Sequence, residues 1–378
     1  MIFRTPSYYK KFKCIASRCS DNCCIGWEID IDRISRKKYE GVSGSFGDRL
    51  RENMVTSPDG SCSFRLLEHE RCAFLNKDNL CDLILQMGED SLCQICRDHP
   101  RYFEWFADGT KEGGIGLCCE EAARIILSER EPFRVTETVI LSEEDPAEEG
   151  FYDAGYSDLV KELRDDLLTI LEETVPVREA LILILEKGSN AQILYDRQTA
   201  LSRGEEEPDP VLKPEEIRNS MEEESCRKEI LLRLLDLLSD TEPMSEKWPE
   251  YLEGMREYLE NSENSGVGSG PDPCEEKVTA SDRADDTQLF LKNIAQYFIW
   301  RYTGKGVFEE DGFFLPYVVT PVILTLFAEA MFEKLVSEGE TADLDACVKL
   351  IKDLSKEVEY DEDFFERILE EACEIFGA

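Results

Sequence analysis

Residues 12–32 read FKCIASRCSDNCCIGWEIDID. Cys14, Cys19, Cys23 and Cys24 crowd into this one stretch, and Cys62, Cys72, Cys81, Cys93, Cys96, Cys118 and Cys119 follow it. Eleven of the 15 cysteines therefore lie in residues 1–119, and Cys226, Cys274, Cys347 and Cys373 are scattered over the rest. Thiolates are soft donors that suit zinc or iron–sulfur clusters. Short spacings let one loop present several sulfurs with little extra chain to order. Widely separated groups then close the site and cross-link a region with few regular elements. The fold is expected to open with an irregular, cysteine-rich metal domain over residues 1–135.

Outward from that stretch, Trp27 to Asp32 alternates as a short half-buried strand does. Residues 33–55 suit a helix with a loop near Gly41 to Gly47. Cys81 to Gly88 suits a short helix with a glycine cap, and Glu120 to Glu129 a clearer one. Glu112-Gly-Gly-Ile-Gly116 lacks the spacing of a nucleotide-binding glycine motif and is expected to form a turn. Residues 136–150, TETVILSEEDPAEEG, read as an acidic linker.

Helical periodicity dominates residues 151–378. Helices are expected over Tyr156 to Thr174, from Pro176 onward, over Glu215 to Leu238, over Glu246 to Leu259 and over Thr287 to Thr303. More are expected within Gly312 to Val336, over 341–356 and over 361–376. Residues 204–214 read as a loop, and the Gly-, Ser- and Pro-rich stretch 261–285 as disordered. The expected fold class is mainly α: an irregular cysteine-rich metal-binding N-terminal domain with little β, followed by an acidic helical domain.

The formal net charge is −39, with 17 Lys/Arg against 18 Asp/Glu in residues 1–119 and 26 against 64 beyond. A chain so acidic repels phosphate backbones, so no nucleic-acid partner is expected. Solubility accounts for such acidity, and recruitment of a basic protein is the functional alternative. No run of 18 apolar residues occurs, so no membrane span is expected. The opening MIFRTPSYYKKFKC has no apolar signal region. Both point to the cytosol, where thiols stay reduced and clustered cysteines bind metal or do chemistry.

Adjacent cysteines such as Cys23 and Cys24 usually point apart, so one is expected to face a metal and the other a second site or the packing. A four-iron cluster needs at most four thiolates, and a pair of structural zinc sites would need eight. His69 and His99 are the two histidines. His99, three residues after Cys96, suits packing or hydrogen bonding better than ligation.

Three segments carry a resemblance: residues 12–32, CAFLNKDNLCDLILQMGEDSLCQICRDHPRYF (72–103) and EGGIGLCCEEAARIIL (112–127). They resemble the flagellin lysine-N-methylase family, within a wider group of cysteine-cluster proteins described as zinc- or iron-chelating. The family's CC-x-GW, C…LC, C-x-x-[YF]-P-R and C-P-E-A-A-R elements match at Cys23–Trp27, Cys72–Cys81, Cys96–Arg101 and Cys118–Arg124. Residues 293–308, NIAQYFIWRYTGKGVF, look like its later helical element. Two departures stand out: His99 replaces the usual aromatic residue, and Glu120 the usual proline. The resemblance implies the metal ligands Cys14, Cys19, Cys23, Cys24, Cys72, Cys81, Cys96 and Cys119, with Cys62, Cys93 and Cys118 as extras. It implies methyl transfer from S-adenosylmethionine to lysines of flagellin or a related protein, with an iron–sulfur cluster such as 4Fe-4S, zinc being the alternative.

Such a transfer needs a lysine amine stripped of its proton, which the free side chain holds up to a pKa of ~10.4. Burial beside the sulfonium cation favours the neutral amine. Asp30, Asp98, Tyr102 and Glu104 are candidate bases, and Trp27, Tyr102 and Trp105 are candidate aromatic faces for a cation. Packing or solvation is the ordinary role of each. Without a nucleotide-binding glycine motif, a cluster iron free of cysteine is the expected anchor for the methionine moiety. The competing function is a non-enzymatic zinc- or iron–sulfur-stapled interaction or redox protein.

Overall fold

The computed structural model describes residues 1–140, 153–173, 175–261, 280–360 and 362–376. Most of 261–285, and 141–150 of the expected linker, lie outside these residues.

The first 140 residues hold more regular β-structure than the sequence suggests. Strand β1 (Ile2–Pro6) precedes α1 (Arg33–Glu40), α2 (Gly44–Asn53), β2 (Met54–Thr56), β3 (Cys62–Phe64), α3 (Asp82–Met87) and α4 (Gln94–Asp98). Then come β4 (Arg101–Trp105), β5 (Thr110–Ile115), α5 (Glu120–Leu127) and β6 (Val135–Val139). A four-stranded sheet runs β4-β5-β1-β6, with β1 parallel to β5 and the other pairs antiparallel.

Three expectations are corrected here. Residues 112–116 belong mostly to strand β5 rather than to a turn. The paired glycines are there because neighbours press on the strand: a Cβ on Gly114 would sit 2.3 Å from the Tyr102 hydroxyl, and one on Gly113 would meet Phe3 and Phe103. Residues 136–139 are strand β6 rather than linker. Residues 27–32 form only a single bridge, Asp30 to Ser63, although Ile29 and Ile31 are buried as the alternation foretold. Two hydrogen bonds flank it, Ile31 N–H to Cys62 O and Phe64 N–H to Ile29 O. Asp32 then caps α1 through Ile34 and Ser35 N–H, which ends the extended run.

The helical part comprises α6 (Ala154–Ile170), α7 (Val177–Arg203), α8 (Pro214–Glu222), α9 (Glu224–Ser239), α10 (Trp248–Asn261) and α11 (Ala280–Tyr302). It ends with α12 (Pro316–Ser337), α13 (Leu344–Glu359) and α14 (Glu362–Ile375). The helix expected over 215–238 is broken at Glu223, which is extended. The break lets Ile217 and Met221 bury while α9 buries Ile230, Leu231, Leu234 and Leu235. Helix α12 is apolar all round and packs against α7, α9, α10, α11, α13 and α14, as a helix hydrophobic on every side must. Its Glu329 and Glu333 meet Arg178 of α7 and Arg227 of α9 at 2.7–3.3 Å. Among the described residues no helix is long and apolar enough to cross a membrane.

Apolar burial divides into two clusters. The larger joins Ile115, Leu117 and α5 to the helices, and the smaller gathers Ile29, Ile31, Tyr39, Leu50, Phe64, Phe74 and Leu83 with several cysteines.

Candidate metal centre and its seam with the C-terminal helices

Local turns bring the cysteines of the smaller core together. The Asn76-Lys77-Asp78-Asn79 turn is closed by the Asn76 side-chain oxygen, which accepts Asp78 and Leu80 N–H. Asn79 takes a left-handed φ of 55°, as asparagine tolerates. The turn folds the chain back so that Leu75 bridges Cys81, near Cys72. Cys72 N–H donates to Cys24 O at 2.8 Å, which fixes the first cysteine loop against this hairpin. Cys93 caps α4 and Cys96 lies within it, three residues on, the spacing that places two helical side chains side by side.

The smaller core gathers Cys24, Cys62, Cys72, Cys81, Cys93 and Cys96, while Cys23 is exposed. The neighbouring Cys23 and burial raise the Cys24 thiol, as Cys93 and burial raise that of Cys96. Cys24 also feels Cys72 and Cys81, and Cys96 feels Cys24 and Cys72.

Burial pushes the Cys72 thiol up to about 11 and raises Cys81, while backbone N–H groups oppose the shift in both. Phe74 N–H reaches the Cys72 sulfur at 3.5 Å, and Leu83 and Ile84 N–H reach that of Cys81. Such donors stabilise a thiolate. Tyr39 lies in the same core, its phenol raised by burial and then by Cys93, Cys96, Asp32 and Cys81.

A second thiol group lies at the start of α5. Cys119 caps that helix and is pushed up to about 12 by burial, with Ala122 and Glu121 N–H opposing; Cys118 and Cys19 lie within electrostatic reach. The Cys19 thiol donates to Glu120 at 3.6 Å, and the same carboxylate oxygen accepts Ser20 N–H at 2.7 Å. Glu120, at the position where proline is usual, thereby holds the first cysteine loop to α5. Cys14 is exposed, and its sulfur accepts Ala16 N–H at 3.4 Å.

The structure adds partners from the far end of the chain. Trp27 donates its indole N–H to Cys23 O at 2.7 Å. Its ring lies between His99 (5.7 Å) and Tyr360 (5.5 Å). The Tyr360 hydroxyl lies within electrostatic reach of Cys118 and Cys23. Asp21 pairs with Lys352 at 2.9 Å and also with Lys356. Burial alone would raise the Asp21 carboxyl, but the two lysines hold it well below the usual range. Behind Tyr360, Glu359 accepts from Tyr297 at 3.0 Å, Tyr302 at 2.5 Å and Arg301 at 3.2 Å. Arg301 in turn lies 4.3 Å over the Tyr102 ring. Helix α13 is thus tied to the first cysteine loop by the Asp21–lysine pairs and by the tilted contact of Tyr360 with Trp27.

Of the candidate aromatic faces, Tyr102 already carries Arg301, and Trp105 carries Lys111 at 4.2 Å. Trp27 is the face beside the first cysteine loop, through its indole N–H on Cys23 O. Glu104 pairs with Lys305 at 3.1 Å, Asp98 accepts the Gln94 amide at 2.5 Å, and Asp30 is exposed. Burial pushes the Tyr102 phenol well up. His99 is pushed down to about 4 by burial and then by Lys356, so its imidazole is neutral at pH 7.

Soft sulfur donors in an apolar core, with the Phe74 N–H aimed at the Cys72 sulfur, are the chemistry a thiolate-bound metal would use. Among the described residues no three His, Cys, Asp or Glu side chains are arranged to hold an ion. A metal entering here would have to displace thiol protons.

No protein-family model and no solved structure matches the chain. Among curated proteins it is similar to the flagellar biosynthetic protein FliU of Salmonella muenchen, 25% identical over 129 residues, 33% of this chain and 76% of that protein. It is similar to the lysine-N-methylase of Salmonella typhimurium (strain LT2), 22% identical over 143 residues, 36% of this chain and 35% of the methylase. The lysine-N-methylase of Salmonella choleraesuis (strain SC-B67) matches to the same extent. The chain spans about a third of the length of these two methylases.

Proposed function

We propose that this chain is a protein-lysine N-methyltransferase, using S-adenosylmethionine to methylate lysines of flagellin or a related protein. The observation that carries the reading is its distant similarity to two lysine-N-methylases. The cysteines gathered in the smaller core support it. In this reading they would hold an iron–sulfur cluster, which when bound would supply a soft anchor for the cofactor.

The chain's own residues do the rest. Trp27 offers an aromatic face to a sulfonium or ammonium cation. Neutral His99 packs against that ring and holds it in place. Tyr360 and the Asp21–Lys352–Lys356 cluster hold the loop in place. The substrate binds as a cationic segment, toward which the acidic helices contribute long-range attraction.

The test is direct. Metal-replete protein is incubated with methyl-labelled S-adenosylmethionine and purified flagellin. Label on flagellin lysines, with stoichiometric S-adenosylhomocysteine, is the expected result. No label and no S-adenosylhomocysteine from metal-replete protein overturns the proposal.

A further inference from the structure

A small recess opens where the chain leaving β1, the end of α5 and helix α11 meet. Tyr8 lines it just after β1, Glu129 and Glu131 just after α5, Phe133 on the following loop, and Asn293 and Gln296 from α11. Its volume is about 10 Å³, room for one group the size of a water molecule. The Phe133 ring, edge-on to Tyr8 at 6.4 Å, supplies an apolar wall.

The polar lining offers acceptors. Asn293 donates its amide N–H groups to the Leu127 and Glu129 carbonyls at 3.0 and 2.8 Å. Gln296 donates its amide to Glu172 at 2.5 Å. These bonds fix which end of each amide is nitrogen, and leave both side-chain oxygens to accept from something else. Tyr8 is 5% exposed, and its hydroxyl is buried without a hydrogen-bond partner. Buried polar atoms ordinarily have partners, so this hydroxyl marks a place for a ligand.

Charge points to the sign of that ligand. Glu129 is paired with Lys11, and Glu172, behind Gln296, with Lys292 at 3.3 Å. Among the described residues Glu131 has no cationic partner, so one negative charge is left at the recess. The carbonyl end of α5 adds to it, since helix C-termini favour cations.

We infer that this recess takes the ammonium head of a primary amine, held by the oxygens of Tyr8, Asn293, Gln296 and Glu131. An ammonium is a compact cation that only donates hydrogen bonds, which matches a water-sized space ringed by acceptors. A metal ion fits less well, because no three His, Cys, Asp or Glu side chains among the described residues are arranged to hold one. A free ammonium ion and a lysine side chain of a basic protein both carry this head. The site is separate in kind from the methyltransferase reading and stands whether or not the chain transfers a methyl group.

The full chain is unfolded by heat at pH 7 and fixed ionic strength, as wild type and as Tyr8→Phe. Ammonium chloride and Nα-acetyl-lysine methylamide are titrated separately, with sodium chloride and tetramethylammonium chloride as controls. A cation that binds only the folded chain raises the midpoint with concentration. At least one of the two N–H-bearing cations is expected to raise it beyond both controls. A rise with ammonium alone identifies the free ion as the ligand, and a rise with the lysine amide shows that a lysine head reaches the recess. Tyr8→Phe removes only the hydroxyl and should bind at least about tenfold more weakly, as losing a hydrogen bond to a charged group implies. Neither cation exceeding the controls, or an equal rise in Tyr8→Phe, overturns the inference and leaves the recess as a site for water.

Discussion

Glu112→Gln lowers the stability of the chain by about 3–5 kcal/mol, because it leaves a buried guanidinium without its counter-charge. Glu112 sits in the middle of β5, its side chain 5% exposed, and grips Arg164 of α6, whose side chain is 0% exposed. The pair is bidentate, at 2.5 and 3.0 Å, and Arg4 of β1 adds a third contact at 2.9 Å. Arg164 also lies 4.4 Å over the Trp300 ring, and a Cβ on Gly304 would meet its guanidinium at 2.6 Å. The sheet and the helical bundle are therefore joined through one charged side chain that water cannot reach. Its loss strands Arg164 with only Asp165, 3.6 Å away and half-exposed. Removing both charges, as Glu112→Leu with Arg164→Met, should recover most of the loss, since apolar replacements of buried pairs are often neutral. Urea unfolding followed by circular dichroism measures both. A loss below about 1 kcal/mol for Glu112→Gln would place that pair in effective contact with solvent.

The second expected result is an acid-side loss of stability that begins near pH 6.5. An unfolded imidazole takes up a proton below about 6.5. The folded His99, pushed down to about 4 by burial and by Lys356, does not. The unfolded state then binds more protons, so stability falls as pH drops from 6.5 toward 4 and is whole above 6.5. The span corresponds to at most about 3 kcal/mol. The Asp21 carboxylate contributes only lower down, below its ordinary 3.8, because its folded value is depressed. His99→Phe removes the titrating ring and keeps an aromatic surface against Trp27, so its stability should be flat between pH 6.5 and 4.5. Denaturant midpoints across that range test it. An unchanged slope in the variant would assign the effect to another group.

The amphipathic helices were legible because one apolar face repeats over several turns. Leu163 and Leu167 of α6, and Val348 and Ile351 of α13, are buried where that spacing puts them. The sheet was hidden for a physical reason. Its strands are short, β5 carries two glycines where apolar residues usually mark a strand, and its partner β1 lies more than a hundred residues earlier. Helix α12 shows no periodic face because every side of it is buried.

At the candidate site, the cysteine groups were visible, and the fold buries Cys72 and Cys93 in the same core as Cys81 and Cys96. Lys352, Lys356, Glu359 and Tyr360 could not have been read locally. They share one end of an ordinary amphipathic helix, and only the tertiary fold carries that end to a loop more than 300 residues away.

The most direct measurement is the metal and sulfide content of anaerobically purified protein, taken with its visible absorption spectrum. About four irons and matching sulfide per chain, with broad visible absorption that is lost when chelator removes the metal, is the predicted result. A colourless chain holding no metal would contradict the account at its centre.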